Sequence, residues 1–260
     1  MLQLERKVII QQSFHSGVAA IVLLAILMIA NPVMAVRPFI TDDARVVGDH
    51  LLGFETSLRW DQSRLQNLNL LAIGLSDKLE GTVGFVHGLS LEGDSMNTYG
   101  ITGPLLQLKY LFTEGTPNRW PGFALIGGVV PPYGSGGFIP PRWSEFIYLA
   151  VTESLFEKDR LMLHGNFGTF ITQPDNGLKT STTWGIGAQL RLIGGLHAVG
   201  EIFSGDPYAE SSGGAFQAGF RYFISDKIQL DATIGSGLWG DPRMDTWLGA
   251  GLRFITDRLW

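Results

Sequence analysis

FQAGFRYFISDKIQLDATIG, running from Phe216 to Gly235, is the stretch on which the fold turns. Phe216, Ala218, Phe220 and Tyr222 alternate with Gln217, Gly219 and Arg221. After Ser225-Asp226-Lys227 the alternation returns, with Ile228, Leu230, Ala232 and Ile234 against Gln229, Asp231, Thr233 and Gly235. A period of two sends successive side chains to opposite faces of an extended chain, so each half reads as a strand with one apolar face and one polar or small face. The polar triplet between them is a tight turn, and the whole is a hairpin. Ten residues rising about 3.3 Å each at a tilt of about 40° climb roughly 25 Å, the height of the apolar band of a membrane barrel.

The same alternation extends in both directions. Leu52, Phe54, Leu58 and Trp60 oppose Gly53, Glu55, Ser57 and Arg59, and Leu106, Leu108, Tyr110 and Phe112 oppose Gln107 and Lys109. Trp184, Ile186, Ala188, Leu190 and Leu192 oppose Gly185, Gly187, Gln189 and Arg191, and Leu248, Ala250, Leu252 and Phe254 oppose Gly249, Gly251 and Arg253. With weaker segments included, the pattern predicts twelve strands at about 50–60, 66–75, 79–89, 99–112, 122–130, 144–155, 160–172, 182–192, 196–204, 214–224, 228–238 and 246–256.

Short turns at 76–78, 157–159, 193–195 and 225–227, with a longer one at 113–121, alternate with mostly longer Gly-, Pro- and Asp-rich connections. This predicts an all-β fold: a transmembrane up-and-down antiparallel β-barrel of the outer-membrane type, with the termini and short turns in the periplasm. Hydrocarbon leaves no water for unpaired backbone groups, so strands cross it only as a closed ring, which also removes exposed edges. The glycines are expected mainly on the inward face. Trp60, Phe112, Tyr222 and Trp247, near strand ends, are expected in an interfacial aromatic belt.

Composition narrows the class further. The chain has 34 Gly among 260 residues, no Cys, 17% charged residues and a net charge of -5. That excludes disorder, a disulfide framework, cysteine nucleophiles and thiolate metal sites, and it provides no basic footprint for nucleic acid. The one long apolar run, Gly17 to Ile29, follows Arg6 and Lys7 and precedes Ala35. It is too short to span a membrane as a helix and reads as a signal peptide, residues 1–35, cleaved after Ala35. Residues 36–49 are too irregular for a strand and are expected as a periplasmic segment or plug before the barrel of residues 50–260. Asp42 and Asp43 within it read as turn or capping residues rather than calcium ligands.

Alternation places Glu55, Arg59, Glu80, Lys109, Glu153, His164, Asn166, Gln189, Arg191, His197, Glu201, Arg221, Asp231 and Arg253 on the polar face as lumen-lining candidates. Buried charges need partners, so an internal network of ion pairs is expected, some members of which would line a conduit. A twelve-stranded ring is narrow, and a partly plugged passage is expected. An enzyme would need an acid/base or nucleophile constellation. His164 with Asn166 and His197 with Glu201 share faces but have no serine motif beside them, so no catalytic residues, metal or cofactor are expected.

The segment PFITDDA at Pro38 to Ala44, followed by GFETSLRW at Gly53 to Trp60, resembles the opening of the outer-membrane transporter family named for the meta-cleavage (MetA) pathway of phenol degradation. FALIGGVVPPYG (Phe123 to Gly134), LHGNFGTF (Leu163 to Phe170), AVGEIF (Ala198 to Phe203) and the opening hairpin agree with it. Val130-Pro131-Pro132-Tyr133-Gly134 stands where a Leu-Pro-Thr-Gly form is associated with that family. The resemblance implies passage of small, often hydrophobic or aromatic solutes.

The expected partners are outer-membrane lipid, the barrel assembly machinery, which is signalled by the terminal aromatic Trp260, and a small-molecule solute. The alternative is a structural or adhesive barrel with a plugged lumen, acting through the 131–143 loop with Tyr133, Phe138 and Trp143. A lipid-modifying barrel enzyme is the remaining reading.

Overall fold

The computed structural model describes residues 39–92, 98–136, 142–173, 177–205 and 213–259. The expected signal segment, Phe138 and Trp260 therefore lie outside the described residues. In chain order the strands are β1 (Leu52–Trp60), β2 (Arg64–Gly74), β3 (Leu79–Ser90), β4 (Tyr99–Thr113), β5 (Gly122–Val130), β6 (Gly134–Ser135), β7 (Trp143–Leu155), β8 (Leu161–Gln173), β9 (Lys179–Ile193), β10 (Leu196–Ser204), β11 (Gly214–Phe223), β12 (Ile228–Trp239) and β13 (Trp247–Ile255). Twelve of these are full staves. The two-residue β6 only adds to the upper end of β4. Each stave pairs antiparallel with its neighbour along the chain, and β1 pairs with β13 from Gly53↔Ile255 to Trp60↔Leu248, which closes the ring. The Leu259 N–H donates to the His50 carbonyl at 3.0 Å, so the two ends of the barrel meet at the rim that carries the short turns.

The outer surface is apolar. Phe54, Leu58, Val83, Leu108, Leu149, Ile186, Phe220, Ile234 and Leu248 are all exposed there, while Lys109, Arg221, Gln189, Glu201 and Arg253 are buried inside. This inside-out distribution is what a bilayer requires of a spanning barrel. Trp60 and Phe112 face outward as expected. Among the described residues a few polar groups also face out: Asn67 accepts from Asn69 and hydrogen-bonds Thr56 and His87, so the cluster satisfies part of its own hydrogen bonding. Ile234→Arg, near the middle of β12, is expected to cost about 2–4 kcal/mol because it sets a charge in the hydrocarbon midplane. Denaturant unfolding in lipid vesicles measures it.

Three expectations need correction. Glu153 is not in the lumen. Ala150 and Thr152 of β7 are buried inward, so Glu153 shares the outward face with Ile147 and Leu149, two residues from the short-turn end of the strand, where a charge reaches water at little cost. Trp247 is not in the outer belt. It is buried inside the ring, with the Arg59 guanidinium 4.0 Å from its ring centroid.

The third correction concerns the lumen, which is not polar all round. Leu105, Ala124, Ile126, Phe146 and Ala150 form a buried apolar cluster inside the wall of β4, β5 and β7, flanked by Leu70 and Phe170. The charged side chains gather mainly on the remaining arc, from β9 through β13 to β1, with Glu80 and Lys109 at its edge. The interior thus has one oily wall and one hydrogen-bonding wall.

Candidate functional site: a lumen crossed by the amino-terminal segment

Residues 39–49 run inside the ring. Phe39, Thr41, Asp42, Asp43, Ala44, Val46 and Val47 are buried. It enters at the short-turn rim, where the His50 N–H donates to the Gly74 carbonyl at 3.1 Å, and reaches mid-height beside Glu201 and Asn166.

Wall side chains, rather than a β-ladder, hold this segment. The Ile40 and Thr41 N–H groups donate to the two oxygens of Glu201 at 2.7 and 2.8 Å. Asn166 closes a two-way pair with Asp42, accepting from its N–H and donating to its carbonyl at 3.0 Å. The Ala44 N–H donates to Thr152 Oγ1 at 2.9 Å, and the Val47 N–H donates to Glu80 Oε2 at 2.6 Å. Each bond to a carboxylate contributes roughly 1.5–3 kcal/mol.

Lys109 is the central anchor. It is 1% exposed, and its Nζ donates to Asp42 Oδ1 at 2.7 Å and to the carbonyls of Asp43 and Arg45 at 3.2 and 3.4 Å. Tyr148 donates to the other Asp42 oxygen at 3.3 Å. Burial pushes the Asp42 carboxyl above the usual carboxylate range despite Lys109. Burial opposes the Asp43 carboxylate as well, but Arg45 and Lys109 together outweigh it and hold that group low. Asp43 Oδ1 also accepts the Arg45 N–H at 2.9 Å, a local turn-capping bond of the kind expected, while the wall lysine holds Asp42 and the Arg45 guanidinium holds the other Asp43 oxygen.

The other candidates take the following places. His164 hydrogen-bonds Thr152 Oγ1 at 3.1 Å, behind the bond to Ala44. Gln189 bridges His197, at 3.0 Å, to Arg221, whose guanidinium lies 5.3 Å from the Phe39 ring centroid. Asp231 stands across the ladder from Arg221. Arg253 pairs with Glu55 at 2.9 Å. Arg191 donates to the Gly194 carbonyl at 3.1 Å and stays at the short turn between β9 and β10. Arg59 sits near the opposite rim on Trp247. Neither histidine pair forms a catalytic relay: Asn166 and Glu201 are both committed to the segment's backbone. Thr152 and Tyr148 were missed, being uncharged residues whose role appears only once the segment lies against them, and so was Gln217, which donates to Glu201 Oε1 at 2.5 Å.

Glycines make the track. A methyl group on Gly185 would overlap Thr41 Oγ1, one on Gly74 would overlap the Gly48 carbonyl, and one on Gly53 would stand 3.1 Å from Val47 Cγ2. Gly185→Ala is expected to unseat the upper segment without opening the barrel. Faster proteolysis or hydrogen exchange at Ile40 to Asp42, with unchanged heat-modifiable migration, would show it.

Beside the segment lies a cavity that is partly open to solvent. Phe39, Leu68, Leu70 and Phe146 line it together with Glu55, Glu80, Asp42 and Lys109, and Leu70 stands directly across the β1–β2 ladder from Glu55.

No protein-family model and no curated protein matches the chain. Among solved structures it is similar to the COG4313 outer membrane channel from Pseudomonas putida F1, with a TM-score of 0.64 and 12% identity over 82% of this chain and 98% of that one. It is also similar to the KdgM porin, with a TM-score of 0.53 and 8% identity over 78% of this chain and 98% of that one. At such identities the likeness shows the fold: this chain is a closed twelve-stranded antiparallel barrel of the outer-membrane type.

Proposed function

We propose that the barrel passes small apolar or amphipathic solutes, aromatic compounds among them, across the outer membrane, and that residues 39–49 gate it from within. The carrying observation is the two-faced interior. An apolar arc with Leu68, Leu70 and Phe146 runs beside a segment that is fastened by side chains alone and is therefore free to shift without breaking the sheet. The two solved barrels of the same fold are named a channel and a porin, and the opening of the sequence resembles the phenol-pathway transporter family. Cleavage after Ala35 and assembly by the barrel machinery through the final strand belong to the same reading.

The test is uptake of phenol into asymmetric vesicles whose outer leaflet is lipopolysaccharide. The barrel should accelerate entry over protein-free vesicles. Equal rates would favour a sealed structural barrel that acts through its loops, where Tyr133 and Trp143 are exposed.

A further inference from the structure

Three carboxylates face the cavity, and two carry their own cation. Asp42 has Lys109 at 2.7 Å, and Glu55 has Arg253 at 2.9 Å. Glu80 is 5% exposed, and among the described residues it has no cation within ion-pair distance. Its partners are the Val47 N–H at 2.6 Å and the Thr82 hydroxyl at 3.3 Å, both neutral. The sheet register explains why this is unusual. Lys109 stands directly across the ladder from Glu80, the position from which a lysine would neutralise it. The amino-terminal segment takes that lysine's hydrogen bonds instead, turning its ammonium to Asp42 and to two backbone carbonyls, so that it acts on Glu80 only through space.

An apolar wall begins a short distance away. Thr82, the next inward residue after Glu80, is paired across the ladder with Ala72, and Leu70 and Leu68 follow on the same inner face of β2. Each two-residue step is roughly 7 Å of strand, so a carboxylate and an oily surface are separated by the length of a short spacer. Phe146 faces the same space from β7.

We propose that this cavity binds small monoamines, the ammonium on Glu80 and an aryl or alkyl group against Leu68, Leu70 and Phe146. The inference deepens the passage reading, on which it rests for the solute's route, by assigning the head group of a preferred solute. A neutral alcohol of the same shape would keep the apolar contacts and lose the charge-assisted bond. A carboxylate would meet Glu80 as a like charge.

Binding of 2-phenylethylamine, 2-phenylethanol and 3-phenylpropanoate to the folded full-length barrel in detergent, measured by calorimetry, tests this. The amine should bind about ten-fold tighter than the alcohol or better, with the carboxylate weakest. Glu80→Gln, which keeps an oxygen for the Val47 N–H, should reduce the amine to the level of the alcohol, and Leu70→Ala should weaken both together. Equal affinity of amine and alcohol in the unmodified barrel would overturn the proposal without any variant, as would an amine preference that survives Glu80→Gln. Loss of phenol uptake with the amine preference intact would count against the passage reading alone. Intact uptake without the preference would count against this inference alone.

Discussion

Deleting Phe39 to Val47 from the otherwise intact chain is expected to raise single-channel conductance several-fold while the barrel still folds. The ring closes through the β1–β13 ladder, to which residues 39–47 contribute no pairing. What the deletion removes is the chain that lies across the lumen, with the buried side chains of Phe39, Ala44, Val46 and Val47. Glu201, Glu80 and Lys109 lose their partners in the segment, but in an opened lumen water replaces them, so the cost of leaving buried charges unpaired is largely avoided. Planar-bilayer recording together with heat-modifiable migration checks both halves of the expectation. Unchanged conductance from a folded variant would mean that the lumen is blocked elsewhere.

Lys109→Met is expected to be the most damaging single substitution for the seating of the segment. Removing one partner of a buried ion pair typically costs about 3–5 kcal/mol, because the other charge stays buried without compensation. Here the abandoned group is Asp42, already pushed upward by burial, and two carbonyl bonds disappear with the ammonium. Hydrogen exchange at Ile40 to Val47 should accelerate strongly while the amides of β10 to β13 keep their protection. Adding Asp42→Asn should recover much of the loss, since an amide needs no counter-charge and can still receive the Tyr148 hydroxyl. Equal exchange in the unmodified chain and the Lys109→Met variant would contradict this account of the anchor.

The strands were legible because lipid on one side and a crowded lumen on the other force alternation, most plainly in β11 and β12. Segments that are apolar on both faces carried no such signal. FALIGGVV in β5 and FIYLAV in β7 place Ile126 and Phe146 inward beside outward Leu125 and Ile147, so the oily wall of the lumen could not be separated from the lipid face by sequence. Glu153 was misplaced by its charge, whereas the parity set by Ala150 and Thr152 points it outward. Trp247 was misplaced by its nearness to a strand end, and its real neighbour is Arg59.

The alternation could name the inward polar residues, but not their purpose. Glu201, Asn166, Lys109 and Glu80 serve as fasteners for a segment whose path has no periodicity to read. The glycines at 53, 74 and 185 were expected to face inward; that they form a track for that segment follows only from what lies against them.

The central claim is that movement of the amino-terminal segment governs passage, and a reversible tether tests it most directly. A Cβ on Gly122 would stand 3.5 Å from that of Ala44, within the range of about 3.5–4.5 Å that a disulfide spans. The chain has no cysteine to interfere. In a variant carrying Ala44→Cys and Gly122→Cys, phenol uptake into the asymmetric vesicles should fall to the protein-free rate when the pair is oxidised and return on reduction. Uptake that stays the same with the tether demonstrably closed would contradict the account.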